Sequence, residues 1–261
     1  MSSRFAFLAL SAILAVLGGQ VTTCLAAPPS STTGDEARIG QILEEWQRRS
    51  SQWTSLDVDF DRTTDQVAWG ARKQHKGRAV LIRGGAAVVE LVKVEESGKE
   101  SETMRLLWRD GEFHQIQPGQ KQRTTWPIAE PDRGRLPAML ALPFCWQTNV
   151  ETLRSHYRIS LMREDPETWS LQFTPIGKAG KSEASRFYLK LDRRTCLPRR
   201  FIRLSPDGAA VEDYRITKAQ VNEPARPEFL EVPQGEGWEV NRAEEHLGFW
   251  VLRLLKPDLL P

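Results

Sequence analysis

Between residues 39 and 53, apolar side chains recur at helical spacing, three, four or seven positions apart: Ile39, Ile42, Leu43, Trp46 and Trp53. This spacing predicts an amphipathic helix. Glu44, Glu45, Arg48 and Arg49 fall on its polar side, and Thr33 with Glu36 is placed for a capping box. From Leu56 the period falls to two. In LDVDFDR, Leu56, Val58 and Phe60 alternate with Asp57, Asp59 and Asp61. That predicts a half-buried strand with its aspartates spread along a wet face rather than gathered around a metal. Further strands are expected in RAVLIRGG (78–85) and AAVVELVKVE (86–95). The second is apolar at both parities, so its inner face is not assigned. TMRLLWRDGEFHQIQPG (103–119) carries Asp110-Gly111 between alternating arms, a hairpin signature. Residues 157–175 and 186–221 continue in the same manner, with a turn at Pro206-Asp207-Gly208.

One stretch breaks the alternation. LPAMLALPFCW (136–146) is almost wholly apolar, with Pro137 placed to open a short helix. Val150, Leu153 and Tyr157 then follow at helical spacing. The expected fold is therefore α+β: a curved antiparallel sheet, a half-barrel of about ten or eleven strands, with helices covering its concave face. Helices packed tightly on that face would make an ordinary core. Helices acting as a lid would leave a cavity for an apolar ligand. The periodicity leaves both open.

The 261 residues are 40% hydrophobic and 27% charged, enough for a buried core and against wholesale disorder. A formal net charge of +2, with no basic block, argues against nucleic acid as a partner. Nine Trp residues suit either a core or a site for apolar ligands. At the N-terminus, Arg4, the apolar run Phe5 to Leu17 and the small residues of TCLAAPP predict a secretory signal peptide over residues 1–26. Lipid attachment at Cys24 is the rival reading, although Thr23 stands where a lipobox has Gly or Ala. Residues 27–34 read as a flexible linker, 35–240 as the main domain and 241–261 as a helical extension carrying Leu247, Trp250, Val251, Leu254 and Leu255.

Chemistry-bearing motifs are sparse. The sequence has no GxSxG, HExxH or Walker loop, and His75, His114, His156 and His246 are scattered. Glu164-Asp165 and Glu95-Glu96 read as solvated turns. Cys145 and Cys196 read as two separate buried thiols, with a disulfide as the alternative. No catalytic residue, cofactor or metal site is expected.

Several stretches, taken in order, resemble the LolA-like superfamily of half-barrel proteins that carry and sort outer-membrane lipoproteins. LDVDFDR resembles that family's first strand, KGRAVLIRGG its arginine-bearing strand, and LLWRDGEFHQIQPGQKQ its DGK-type hairpin. LPAMLAL resembles its lid, and WSLQFTP, FYLKLDRRTCLPRRFIRLSPDG and YRITKAQVN its last strands. Asn222, Phe229, Pro233 and Gly235 fit the closing signature, which reads mechanically as a segment that closes the sheet, with Phe229 dropping into the core. The departures are Gly84 where the family has Pro, a longer helix after the lid, and the C-terminal extension.

The resemblance spans residues 36–240 and implies a periplasmic carrier that holds acyl chains under a helical lid. Its cavity would be lined by Val58, Phe60, Leu81, Leu106, Trp108, Phe187, Leu189 and Leu191, with Met139, Leu140 and Leu142 in the lid. Arg83 would latch that lid through hydrogen bonds to its backbone, or else face solvent beside its glycine turn. The implied partners are acyl chains of lipoproteins or other lipids, an inner-membrane donor and an outer-membrane acceptor protein, bound by a monomer. The alternative is an envelope sensor or scaffold module that uses the same fold without shuttling.

Overall fold

The computed structural model describes residues 33–128, 149–176, 186–224 and 227–243. Helix α1 (Thr33–Ser50) comes first. Asp35 and Glu36 in its first turn and Arg48 and Arg49 in its last complement the helix dipole. Six strands follow: β1 (Ser55–Gln66), β2 (Ala71–Ile82), β3 (Ala87–Val94), β4 (Glu100–Arg109), β5 (Glu112–Gln117) and β6 (Gln122–Pro127). After a short helix α2 (Val150–His156) come β7 (Tyr157–Glu164), β8 (Thr168–Pro175), β9 (Arg186–Asp192), β10 (Pro198–Leu204) and β11 (Ala210–Val221). The last strand is β12 (Glu239–Arg242).

All twelve strands lie in one open, curved sheet of order β12-β6-β5-β4-β3-β2-β1-β11-β10-β9-β8-β7. Two meanders, β1–β6 and β7–β11, are joined where β1 pairs antiparallel with β11 along the whole of β1 from Leu56. The count corrects the expected ten or eleven strands. The strand missing from the sequence reading at the far edge, β12, has no buried residue and so no alternation to detect, and it pairs with β6 in parallel. The boundary expected at residue 240 falls inside it. The helical cover is also smaller than expected, being α1 and the seven-residue α2 among the described residues. No helix there is long and apolar enough to cross a membrane.

Both faces of the sheet carry apolar side chains, which explains the double parity of β3. Ala87, Val89 and Leu91 point to the inner face, and Val88 points to the outer one. On the outer face, Val80, Val88, Leu107 and Ile116 are covered by Phe229, Leu230, Val232 and Trp238 of the segment leading to β12. Phe229 therefore docks on the outside of the sheet rather than in the inner core. Its ring lies 4.2 Å from the guanidinium of Arg78 and 5.8 Å from that of Arg105. Arg78 in turn takes both oxygens of Asp57, at 2.9 and 2.5 Å. Asn222 has φ 62, and its side-chain oxygen accepts from the backbone N–H of Thr54 at 2.8 Å. This bond ties the exit of β11 to the entrance of β1.

On the inner face a row of aromatic rings crosses six adjacent strands. Ring centroids are separated by 6.2 Å for Tyr157–Phe173, 4.2 Å for Phe173–Phe187 and 5.3 Å for Phe187–Phe201. The row continues through Phe201–Tyr214 at 6.0 Å and Tyr214–Phe60 at 5.7 Å. It ends over β2, where Phe60 faces Gly77 across the ladder. A Cβ at Gly77 would collide with the Phe60 ring. Gly77→Ala must therefore push that ring off its neighbours, and overpacking of this kind costs ~1–3 kcal/mol. Urea denaturation should show the lower midpoint at unchanged slope.

Candidate functional site

The inner face divides into two apolar fields. Beneath α1, Ile39, Ile42, Leu43 and Trp46 pack on Trp169, Leu171, Phe173, Phe187, Leu189, Leu191 and Phe201. The helix is clamped there by charge. Arg38 pairs with both oxygens of Glu164, at 3.1 and 2.5 Å, and Arg193 reaches the same carboxylate at 3.2 Å. The hydrogen bond from Arg38 holds the Glu164 carboxyl below the usual range. Glu164 is thus a structural anchor rather than a solvated turn residue. Cys196 lies under the same helix as a buried free thiol, its pKa pushed up to about 11 by burial, and Cys145 lies outside the described residues.

The second field covers β1 to β6. It gathers Trp53, Leu56, Val58, Phe60, Leu81, Val89, Leu91, Leu106, Phe113 and Trp126, with Trp108 and Met104 packed against them. Among the described residues it contains no helical member. The structure therefore brings Val58, Phe60, Leu81, Leu106 and Trp108 together, and it places Phe187, Leu189 and Leu191 apart from them, seating α1. Met139, Leu140 and Leu142 lie outside the described residues. Arg83 is not simply solvated beside its glycine turn. Its Nε donates to Trp53 O at 2.7 Å and its Nη2 to Ser50 O at 3.0 Å. The fork thus engages carbonyls at the C-terminal end of α1, where the helix has none of its own donors left.

Past Phe60, the inner face changes character. Arg62, Thr64, His75, Arg203 and Glu212 continue the inward-facing parity of their strands, so this end of an apolar face is polar. Arg62 bonds Glu212 Oε1 at 2.7 Å, and Arg203 lies 2.5 Å from Glu212 Oε2. The Arg62 guanidinium also sits 5.5 Å from the Tyr214 ring centre. His75 pairs across the ladder with Arg62. Burial, aided by Arg62, Lys73 and Lys93, lowers its pKa to about 4. Its Nδ1 and the hydroxyl of Thr64 are buried without a hydrogen-bond partner among the described residues. A recess of about 550 Å³ opens beside His75, lined also by Leu91, Lys93, Met104 and the tight turn Pro118–Gln120.

Sequence reasoning missed this polar end, although β1 announces it. Counting inward positions onward from Leu56, Val58 and Phe60 gives Arg62 and Thr64. Nothing in one strand, however, tells which residue of a strand 150 positions later will meet Arg62.

No family model matches the chain, and no curated protein matches it. Structural neighbours include a LolA superfamily protein. That protein, from Nitrosomonas europaea, is 12% identical, with a TM-score of 0.33 and coverage of 74% of this chain and 97% of its own. An uncharacterized conserved protein from Thermus thermophilus is 13% identical, with a TM-score of 0.48 and coverage of 79% and 99%. MucB is 18% identical, with a TM-score of 0.45, and the match spans 79% of this chain and 65% of MucB.

Two outcomes follow from the site. His75 has a folded pKa of about 4, below the ordinary histidine value of about 6.5. The unfolded chain therefore takes up this proton first, so stability is intact above pH ~6.5 and falls as pH drops toward ~4. NMR titration should find the His75 ring neutral at pH ~5.5, and His75→Gln should flatten the stability profile in that window. Arg83→Leu should speed amide exchange over residues 50–54, because two carbonyl contacts at the helix end are lost.

Proposed function

We propose that this chain binds the acyl chains of lipids or lipidated proteins on the inner face of its sheet, as a non-catalytic periplasmic carrier. One observation carries the reading. The apolar field over β1–β6 takes no helical residue from the described part of the chain, whereas the field over β7–β11 is filled by α1. The first field is the place for an apolar ligand, with Val58, Phe60, Leu81, Leu106 and Trp108 as its floor. The stretch holding Met139, Leu140 and Leu142 is assigned as its lid. Each acyl CH₂ buried there contributes ~0.8 kcal/mol, so a few chains give firm but reversible binding.

Two further features support the same reading. The indole N–H of Trp108 is buried without an acceptor among the described residues, and a carbonyl group along the ligand would supply one. At the polar end of the sheet, Val67 and Trp69 form the turn between β1 and β2 and stand 63% and 84% exposed. Tryptophan favours the membrane–water interface, so this tip suits contact with the membrane that supplies the ligand.

The test is a release assay with spheroplasts carrying radiolabelled acylated lipoproteins. The expected result is label in the supernatant as a one-to-one complex with this protein. Binding of an apolar fluorescent probe without release would support the sensor alternative, and absence of both would overturn the reading. With Arg83→Leu, reduced transfer of bound cargo to acceptor membranes is expected if the arginine acts as a latch. Unchanged transfer would leave it a structural tether of α1.

A further inference from the structure

We propose that the ligand of the inner face carries an anionic head, a carboxylate or a phosphate, and that this head binds at the end of the face marked by Arg62, Arg203 and His75. The inference rests on the lipid-binding reading and names the ligand class that the site selects.

Continuity comes first. Leu91 and Met104 belong both to the apolar field over β1–β6 and to the wall of the recess of about 550 Å³ beside His75. A chain lying on the field is therefore led into the recess without crossing a barrier of polar backbone. The recess itself is balanced in charge, with Lys93 and Arg105 beside Glu90 and Glu102 in its lining and Lys93 paired with Glu95 at 3.0 Å. The excess of cations lies next to it, where two guanidiniums share the one carboxylate of Glu212. Glu212 is 7% exposed, so these charges act through a medium that screens them poorly.

Hydrogen bonding points the same way. Thr64 is 2% exposed, and neither its hydroxyl nor the buried Nδ1 of His75 has a partner among the described residues. A buried donor left unmade is unfavourable, and a hydroxyl and an imidazole N–H are both donors to an oxyanion. An ammonium head has no acceptor for these groups, and a neutral ester accepts from them but brings no charge to the guanidiniums. A carboxylate or phosphate oxygen would match them and face two guanidiniums.

The test uses the purified protein and a matched pair of probes: cis-parinaric acid and its methyl ester, which share one chain and differ in head charge. Fluorescence titration at pH ~8 should give an affinity for the acid at least ~10-fold above that for the ester. Arg203→Gln should narrow this ratio severalfold by weakening binding of the acid. Glu212→Gln should widen it, since it removes the competing carboxylate. Lys93→Gln, at a more exposed position, gives a second narrowing variant should Arg203→Gln fail to fold. Competition by dodecanoate against dodecyl phosphate then ranks the two heads, and displacement by either at lower concentration than by dodecanol supports the proposal. Equal binding of acid and ester, or a ratio unmoved by all three variants, would overturn it while leaving the lipid reading intact. Failure of both probes to bind would overturn both.

Discussion

The fold depends on the aromatic row that crosses the inner face from Tyr157 to Phe60. A sheet of twelve strands has no closed barrel to hold its curvature, and among the described residues its two meanders are paired only where β1 meets β11. Phe201, Tyr214 and Phe60 lie on three neighbouring strands, the last two of them across that junction. Aromatic pairs contribute about 0.5–1.5 kcal/mol each beyond the area they bury, so a connected row fixes the relative twist of the halves. The row stops where it must. Beyond Phe60 stands Gly77, the residue without a side chain, and the ring lies over it. On one side of the row the inner face is apolar and carries α1. On the other, Arg62, Arg203 and Glu212 begin.

That division explains the unequal treatment of the two halves. Helix α1 is held over β7–β10 by packing and by charge, with Arg38 and Arg193 converging on Glu164 and Arg49 donating to the carbonyl of Arg194. Its far end is held by Arg83 at Ser50 and Trp53. A helix of 18 residues is about 27 Å long and cannot cover twelve strands spaced about 4.8 Å apart. Fixing it over one half leaves the other half's apolar field without a helical partner among the described residues. The outer face is treated in the opposite way. There the strap carrying Phe229, Leu230, Val232 and Trp238 covers the buried side chains of β2–β5, with the Arg78 guanidinium over the Phe229 ring.

Much of this was legible in the sequence, and the limits are physical. Alternation located Val58, Phe60, Leu81 and Leu106 on one face, because a strand whose two faces differ in wetness shows a period of two. Asp110-Gly111 gave its turn, since both residues adopt positive φ, 53° and 77°. The double parity of β3 was visible but ambiguous, because a strand covered on both faces has no wet side. Strand β12 was invisible, being exposed throughout and held by backbone pairing to β6. The partners of Arg83, Arg38 and Glu212 were also beyond reach, since each contact joins residues far apart in the chain. An arginine's reach is readable from its chemistry, but its direction is set by tertiary packing.

Two recesses among the described residues differ in what they suggest. A second cavity, also of about 550 Å³, lies between the strap and β5, β6 and β12. Most of its charges are matched from within: Arg242 with Glu112 at 2.8 Å, Arg109 with Asp110 at 2.8 Å, and Arg123 with the carbonyl of Pro233 at 2.8 Å. His114 there is satisfied by Thr125 at 2.9 Å. These contacts read as the fastening of the strap. The inner recess differs because it continues an apolar field and because Thr64 and His75 remain unsatisfied beside it. Burying Arg62, Glu212 and Arg203 is itself a poor way to gain stability, since desolvation offsets most of the attraction between such groups. A hydrophobic trio in the same places would extend the aromatic field and hold the sheet at least as well. The polar end is therefore best understood as selecting what lies on the apolar face, by making one end of that face unfavourable for a ligand that has no charge to offer it.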